Sequence, residues 1–179
     1  MTSKEKNTVL IVFFSHIGIT KEVGMVQKGN NEFIVEYIAN YLNNKCDIYR
    51  ILDPTKYPLE FNSMYNKAKN MKYAIKRPRP LNDCPNLDDY NTIFLIYPIW
   101  VEDLPMVIYS FLERNDFTNK RIIPLCTHEG SGILKTYEKI KNILVEAEVI
   151  CHDFSIFGHE TRKKDAKNEV ENWLKSVGY

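Results

Sequence analysis

The chain has 179 residues, with 24 lysines and arginines against 23 aspartates and glutamates. That length supports one domain with a substantial core, here residues 1–179. The near balance of charge offers no global attraction to nucleic acid or to an anionic membrane, and no apolar stretch approaches the ~18 residues that span a bilayer.

Three apolar runs, residues 9–14, 93–97 and 122–126, each end abruptly in a short polar or glycine-containing loop. Continuous apolar runs of this kind read as buried parallel strands. Strand one, residues 8–15, leads into a long passage punctuated by Gly18, Gly24 and Gly29. A helix follows at about 31–42, where Phe33, Tyr37 and Tyr41 recur beside Ile34, Ile38 and Leu42 as one wide apolar stripe. Strand two is 46–52, and Met64, Ala68, Met71 and Ile75 mark a second helix by the same spacing. The proline-rich stretch 77–85 is a loop.

Strand three is 92–97. The next helix begins near Leu104 and Pro105, with Asp103 placed to cap it, and runs to about Glu113. Strand four is 121–126, although Pro124 is awkward inside a central strand. Ser131 is placed to cap a helix with Leu134, Tyr137, Ile140 and Leu144 inward, strand five is 147–152, and Ala166, Val170, Trp173, Leu174 and Val177 make the last helix. Five strands alternating with five helices predict a doubly wound α/β sheet with helices on both faces.

Cys46, Cys84, Cys126 and Cys151 form no C-x-x-C pair and read as small core hydrophobes of a reducing compartment. The N-terminus is polar without an apolar leader core. A soluble cytoplasmic protein is expected. Lys72, Lys76, Arg77 and Arg79 form the one basic cluster, which reads as a solvated stretch.

In such a sheet, ligands bind outside the carboxyl ends of the strands, where three loops converge. The first brings Ser15 to Gly29, Asn30, Asn31 and Glu32, a glycine and two amides opening a helix, suited to an anion such as a phosphate monoester. The plainer reading is that Asn30 or Asn31 caps the helix. The second, Pro98, Ile99, Trp100, Val101, Glu102 and Asp103, carries a tryptophan suited to stacking on a planar ring or, alternatively, folded back as core. The third, Thr127, His128, Glu129, Gly130, Ser131 and Gly132, offers backbone donors to a polar ring edge, or is a loop with a surface histidine. Neither a Walker loop nor the dinucleotide fingerprint is present.

Phe14-Ser15 with its glycine-punctuated insert, Tyr97-Pro98-Ile99-Trp100 before Leu104-Pro105, and Pro124 through Gly132 together resemble the flavodoxins, in particular a bacterial subgroup with an extended phosphate loop, over nearly the whole chain. The resemblance implies strand order 2-1-3-4-5 and noncovalent flavin mononucleotide (FMN) at the switch point. Ser15, His16, Asn30 and Asn31 would hold the phosphate. Pro98, Ile99, Trp100 and Val101 would line the ring, and Thr127, His128, Glu129, Gly130, Ser131 and Gly132 would close its other side.

Two departures stand out. Asn31 replaces a usual threonine, and Val101-Glu102 replace a second tryptophan and a glycine, so positive φ there is costlier and the one-electron reduced flavin is expected to be held less firmly. Glu102, Asp103 and Glu129 on the ring loops would push reduction to low potential.

The function implied is electron transfer between redox partner proteins by a monomer or weak dimer. An FMN-dependent NAD(P)H or quinone reductase and a flavin-free binding domain are the alternatives. A response-regulator receiver is disfavoured by the lack of paired magnesium-binding acids after strand one. A low-molecular-weight phosphatase is disfavoured by the lack of a cysteine-to-arginine phosphate loop.

Overall fold

The computed structural model describes residues 8–20 and 22–179; the polar N-terminus, residues 1–7, and Lys21 lie outside the described residues. The order of elements is β1 (Val9–Phe13), β2 (Gly18–Thr20), β3 (Gly24–Val26), α1 (Asn30–Tyr41), β4 (Asp47–Arg50), α2 (Phe61–Tyr73), β5 (Thr92–Pro98), α3 (Met106–Arg114), β6 (Arg121–His128), α4 (Thr136–Ile143), β7 (Glu148–Val149), β8 (Ile156–Phe157) and α5 (Ala166–Ser176).

The main sheet runs β4-β1-β5-β6-β7, with β8 also on β6, and every pairing in it is parallel. With β2 and β3 set aside as a separate antiparallel pair, this is the 2-1-3-4-5 order of the flavodoxin-like fold. Alternate strand residues bury on opposite faces, as a period of two requires. Leu10, Val12, Leu95 and Tyr97 pack with Val107, Phe111 and Ile140 of α3 and α4. Ile11, Phe13, Phe94 and Ile96 pack with Ile34, Ile38, Val170 and Trp173 of α1 and α5. Both faces are covered, which is why the central strands read as unbroken apolar runs.

The fifth strand is not one piece. Its two short halves pair with opposite ends of β6, at Arg121–Ile122 and at Thr127–His128. Pro124 explains the break. The Ile122 carbonyl accepts from the Ile150 amide, so by alternation residue 124 faces the same edge and has no N–H to offer there. His152 Nε2 takes the Pro124 carbonyl instead, at 2.7 Å.

Several predicted details change. The second helix ends at Tyr73, and Ile75 is 69% exposed with φ 51°. Ser131 caps nothing: α4 starts five residues later, and Leu134 is 44% exposed with φ 53°. Asp103 is not the cap of α3, whose N-cap position is Pro105. Cys46 and Cys126 are buried in the core and half-buried Cys84 packs against it, whereas Cys151 is exposed and does not serve it. In the basic cluster, Lys72 pairs with Asp103 and Arg77 with Glu113. Among the described residues, no helix is long and apolar enough to cross a membrane.

Candidate functional site

A cavity of about 230 Å³ opens at the carboxyl ends of β1, β5 and β6. Of the predicted residues it is lined by Ser15, His16, Asn30, Asn31, Pro98, Ile99, Trp100, Val101, Thr127, His128, Glu129 and Ser131. Gly130 and Gly132 do not line it; with φ 111° and 68° they bend the third loop. The sequence reading missed a second wall made by Gly18, Ile19 and Thr20 of the β2–β3 pair and by Phe61, Met64, Tyr65 and Ala68 of α2.

The polar end lies where β1 meets α1. Gly29 is required there: a Cβ would sit 2.0 Å from Ser15 Oγ and 2.7 Å from the His16 carbonyl. Glu32 turns back to accept the Gly29 amide at 3.1 Å, while the amides of Asn30 and Asn31, at the start of the helix, have no intrahelical partners. The Ser15 side chain makes no hydrogen bond among the described residues. Two cations flank this end and were not anticipated. Arg50 reaches the Ser15 carbonyl and pairs with Glu32, each at 3.3 Å, countering the negative charge at the helix start. Arg162 donates to Asn30 Oδ1 and to the Lys28 carbonyl, with its guanidinium over the Phe33 ring.

Two of the residues expected to hold the phosphate have partners within the protein. Asn31 is 1% exposed; its Nδ2 donates to the Phe14 carbonyl and its Oδ1 accepts from Thr127 Oγ1, both at 2.8 Å. Its side chain is spent holding β1 to β6, so only its backbone amide is left for a ligand. The His16 ring packs edge-on against Trp100 and Tyr57, with centroids at 5.5 and 5.8 Å. Burial lowers its pKa, with Asp53 opposing the shift.

Trp100 is half-buried among Phe14, His16 and Tyr57, all nearly perpendicular to it. Its backbone pairs with Asp103 through two hydrogen bonds, of 2.9 and 3.0 Å. Val101 and Glu102 between them have φ 52° and 59°, a two-residue turn of the I′ kind built without glycine. Each left-handed residue costs about 1–2 kcal/mol, so the positive φ that the sequence makes expensive is nonetheless adopted.

Asp103, expected among the redox-tuning charges, does not line the cavity and has its charge countered by two lysines. Its carboxylate takes the Leu104 amide, the Tyr109 hydroxyl and Lys139 at 2.7–2.8 Å, and pairs with Lys72 at 3.4 Å. Burial acts to raise its pKa, but the bonds from Lys139 and Tyr109 outweigh it and hold the carboxyl below its ordinary value. Glu102, which also lines the cavity, has no such partner among the described residues.

His128 is a buried residue rather than a surface one. Its Nδ1 accepts the Gly130 amide at 3.0 Å, its Nε2 faces Ser155 Oγ at 3.1 Å, and its ring lies against Phe157. Burial lowers its pKa. The Glu129 carboxylate approaches Gly158 so closely that a Cβ there would be 2.4 Å from Oε1.

The chemistry of the site is thus an anion-accepting corner of amides and a hydroxyl, an apolar slot faced by a tryptophan, and a loop of polar edges. FMN, with phosphate, chain and flat ring, fits that sequence of environments. A flavodoxin family model matches residues 8–177. No curated protein matches the chain. Among solved structures, a protein of Bacteroides eggerthii is 20% identical with TM-score 0.70, over 96% of this chain and 98% of its own. A flavoprotein in complex with FMN from Lactobacillus acidophilus is 13% identical with TM-score 0.64, over 88% and 97%. An NADH:FMN oxidoreductase in apo form is 12% identical with TM-score 0.55, over 94% and 87%. With the family model spanning the sheet, the five helices and all three site loops, this chain belongs to the flavodoxin family.

Proposed function

We propose that this protein binds FMN in the cavity at the ends of β1, β5 and β6 and carries electrons between protein partners. The observation that carries the reading is the meeting, in one cavity, of the free first-turn amides of α1 and the Ser15 hydroxyl with the apolar slot at Trp100. When bound, the flavin supplies the electron-transfer chemistry. Asn30 and Asn31 amides and Ser15 would hold the phosphate, helped by the positive end of the α1 dipole. Trp100, Ile99 and the α2 side chains would keep water from the ring. Glu102 would place negative charge beside it.

The carrier role is supported by the cavity's rim. Ile19 and Tyr65 at the rim, Met25 paired with Ile19, and Leu59, whose carbonyl accepts the Ile19 amide, are all exposed apolar residues. Such a patch suits a partner protein more than water. We further infer a monomer or weak dimer and, from the four free cysteines, a reducing cytoplasmic setting.

One observation favours a second reading, an FMN-dependent NAD(P)H or quinone reductase: Phe61, Met64 and Tyr65 leave an apolar wall against which a small planar substrate could lie. Steady NAD(P)H oxidation with a quinone, measured on the FMN-loaded protein, supports that reading. Its absence, together with reduction by a flavodoxin reductase and reoxidation by an acceptor protein, supports the carrier.

A further inference from the structure

Lys72 lies on α2, outside the loops that line the ring slot. Its ammonium nevertheless donates to the Val101 carbonyl at 2.8 Å and lies 3.4 Å from Asp103. That carbonyl belongs to the central peptide of the Trp100–Asp103 turn, between two successive left-handed residues. The two hydrogen bonds that close the turn do not by themselves fix this peptide. A type II turn closes the same four residues with Val101 at negative φ, and a type II′ turn does so with the central peptide rotated and Glu102 at negative φ, so each relieves one of the two positive φ values. A β-branched residue such as Val101 is an outlier in the left-handed region.

Among the described residues, Lys72 is the side chain that grips that carbonyl from outside the turn. Asp103 is anchored independently by Lys139, Tyr109 and the Leu104 amide. The Asp103 carboxylate thus stays anchored with or without Lys72, while the strained turn stays closed only as long as Lys72 holds its middle. We propose that Lys72 is a positioning residue of the site: by gripping the Val101 carbonyl it locks the central peptide of this strained turn and so fixes the wall against which the cofactor ring packs. The part about the ring rests on the FMN reading; the lock itself does not.

The test compares the parent chain with Lys72→Met, each with Val101 and Glu102 intact and with Val101→Asn plus Glu102→Gly. The Asn-Gly pair favours the I′ turn unaided. Two quantities are read: amide hydrogen exchange at Trp100 and Asp103 in the apoprotein, and FMN affinity by quenching of flavin fluorescence. With the native turn, Lys72→Met is expected to speed exchange at both amides and weaken FMN about tenfold, the low end for a charge-assisted hydrogen bond. In the Asn-Gly background the same change should alter either quantity less than about twofold, because the turn no longer needs the lysine. Equal losses in both backgrounds, or unchanged exchange at both amides with the native turn, overturn the proposal. If the parent chain binds no FMN, the flavin reading fails, and the exchange data alone still decide whether Lys72 holds the turn.

Discussion

Thr127 at the end of β6 donates its hydroxyl to the side-chain oxygen of Asn31, the second residue of α1, across 2.8 Å of buried space. The same amide group donates to the Phe14 carbonyl at 2.8 Å, so one side chain pins α1 to the ends of both β1 and β6. Asn31→Ala should destabilise the apoprotein by about 1–3 kcal/mol, because it strands a buried carbonyl and a buried hydroxyl. Urea unfolding measures this. An unchanged midpoint would mean that water or a neighbour replaces the amide at little cost.

Gly29→Ala should act on the phosphate end in particular. The new methyl group meets Ser15 Oγ and the His16 carbonyl at distances no Cβ tolerates, and relieving that overlap parts β1 from the start of α1. A stability loss of about 1–3 kcal/mol is expected. FMN affinity should fall further than riboflavin affinity, since the disturbed corner serves the phosphate. Equal losses for the two ligands would place the phosphate elsewhere.

Trp100→Ala should weaken FMN binding by ~1–3 kcal/mol through lost ring contact and burial. Phe14, His16 and Tyr57 hold the indole from its other sides and remain in the variant. An unchanged dissociation constant, read by titration of flavin fluorescence, would make Trp100 a packing residue only.

The acidic residues of the second loop should separate in a redox titration. Glu102→Gln removes a carboxylate that lines the cavity without a cationic partner among the described residues, and should raise the reduction potential of the bound flavin. Asp103→Asn removes a charge already countered by Lys72 and Lys139, and should chiefly lower stability. A potential that moves more with Asp103 than with Glu102 would reverse this assignment.

Three histidines, His16, His128 and His152, have pKa values lowered first of all by burial. In His128 and His152, Nδ1 accepts a backbone amide, from Gly130 and Phe154, so a proton there would also break a hydrogen bond. Unfolded histidines titrate near 6.5, and the folded values lie below. Between the two the unfolded chain binds more protons, so stability rises with pH; it is fully present above the unfolded value and lost as pH falls through the folded ones. Stability read from urea unfolding between pH 8 and about pH 5 should decline as the pH falls below about 6.5. A flat profile would mean that these rings protonate freely in the fold.

The central strands were legible because burial on both faces leaves no polar alternation. The residues that write β1, β5 and β6 into the sequence are also those that end at the site loops. Pieces of two or three residues leave no such trace. Gly18–Thr20 and Gly24–Val26 read only as a glycine-rich passage, and the break in the fifth strand shows in sequence only as the misplaced Pro124. Arg50, Arg162 and the α2 wall were missed for a different reason. The two arginines flank the polar end and α2 lines the cavity from 35 or more residues away from Ser15 along the chain, through topology that local spacing does not encode. His16 and Asn31 were given ligand roles by the resemblance, which does not show that their side chains have partners within the protein.

The most direct measurement is the addition of FMN to the purified apoprotein, followed by flavin fluorescence and visible absorbance. The account predicts saturable quenching at one FMN per chain, with a shifted flavin spectrum and with Trp100 and Gly29 variants binding more weakly. Free-flavin fluorescence persisting undiminished at high protein concentration would contradict it.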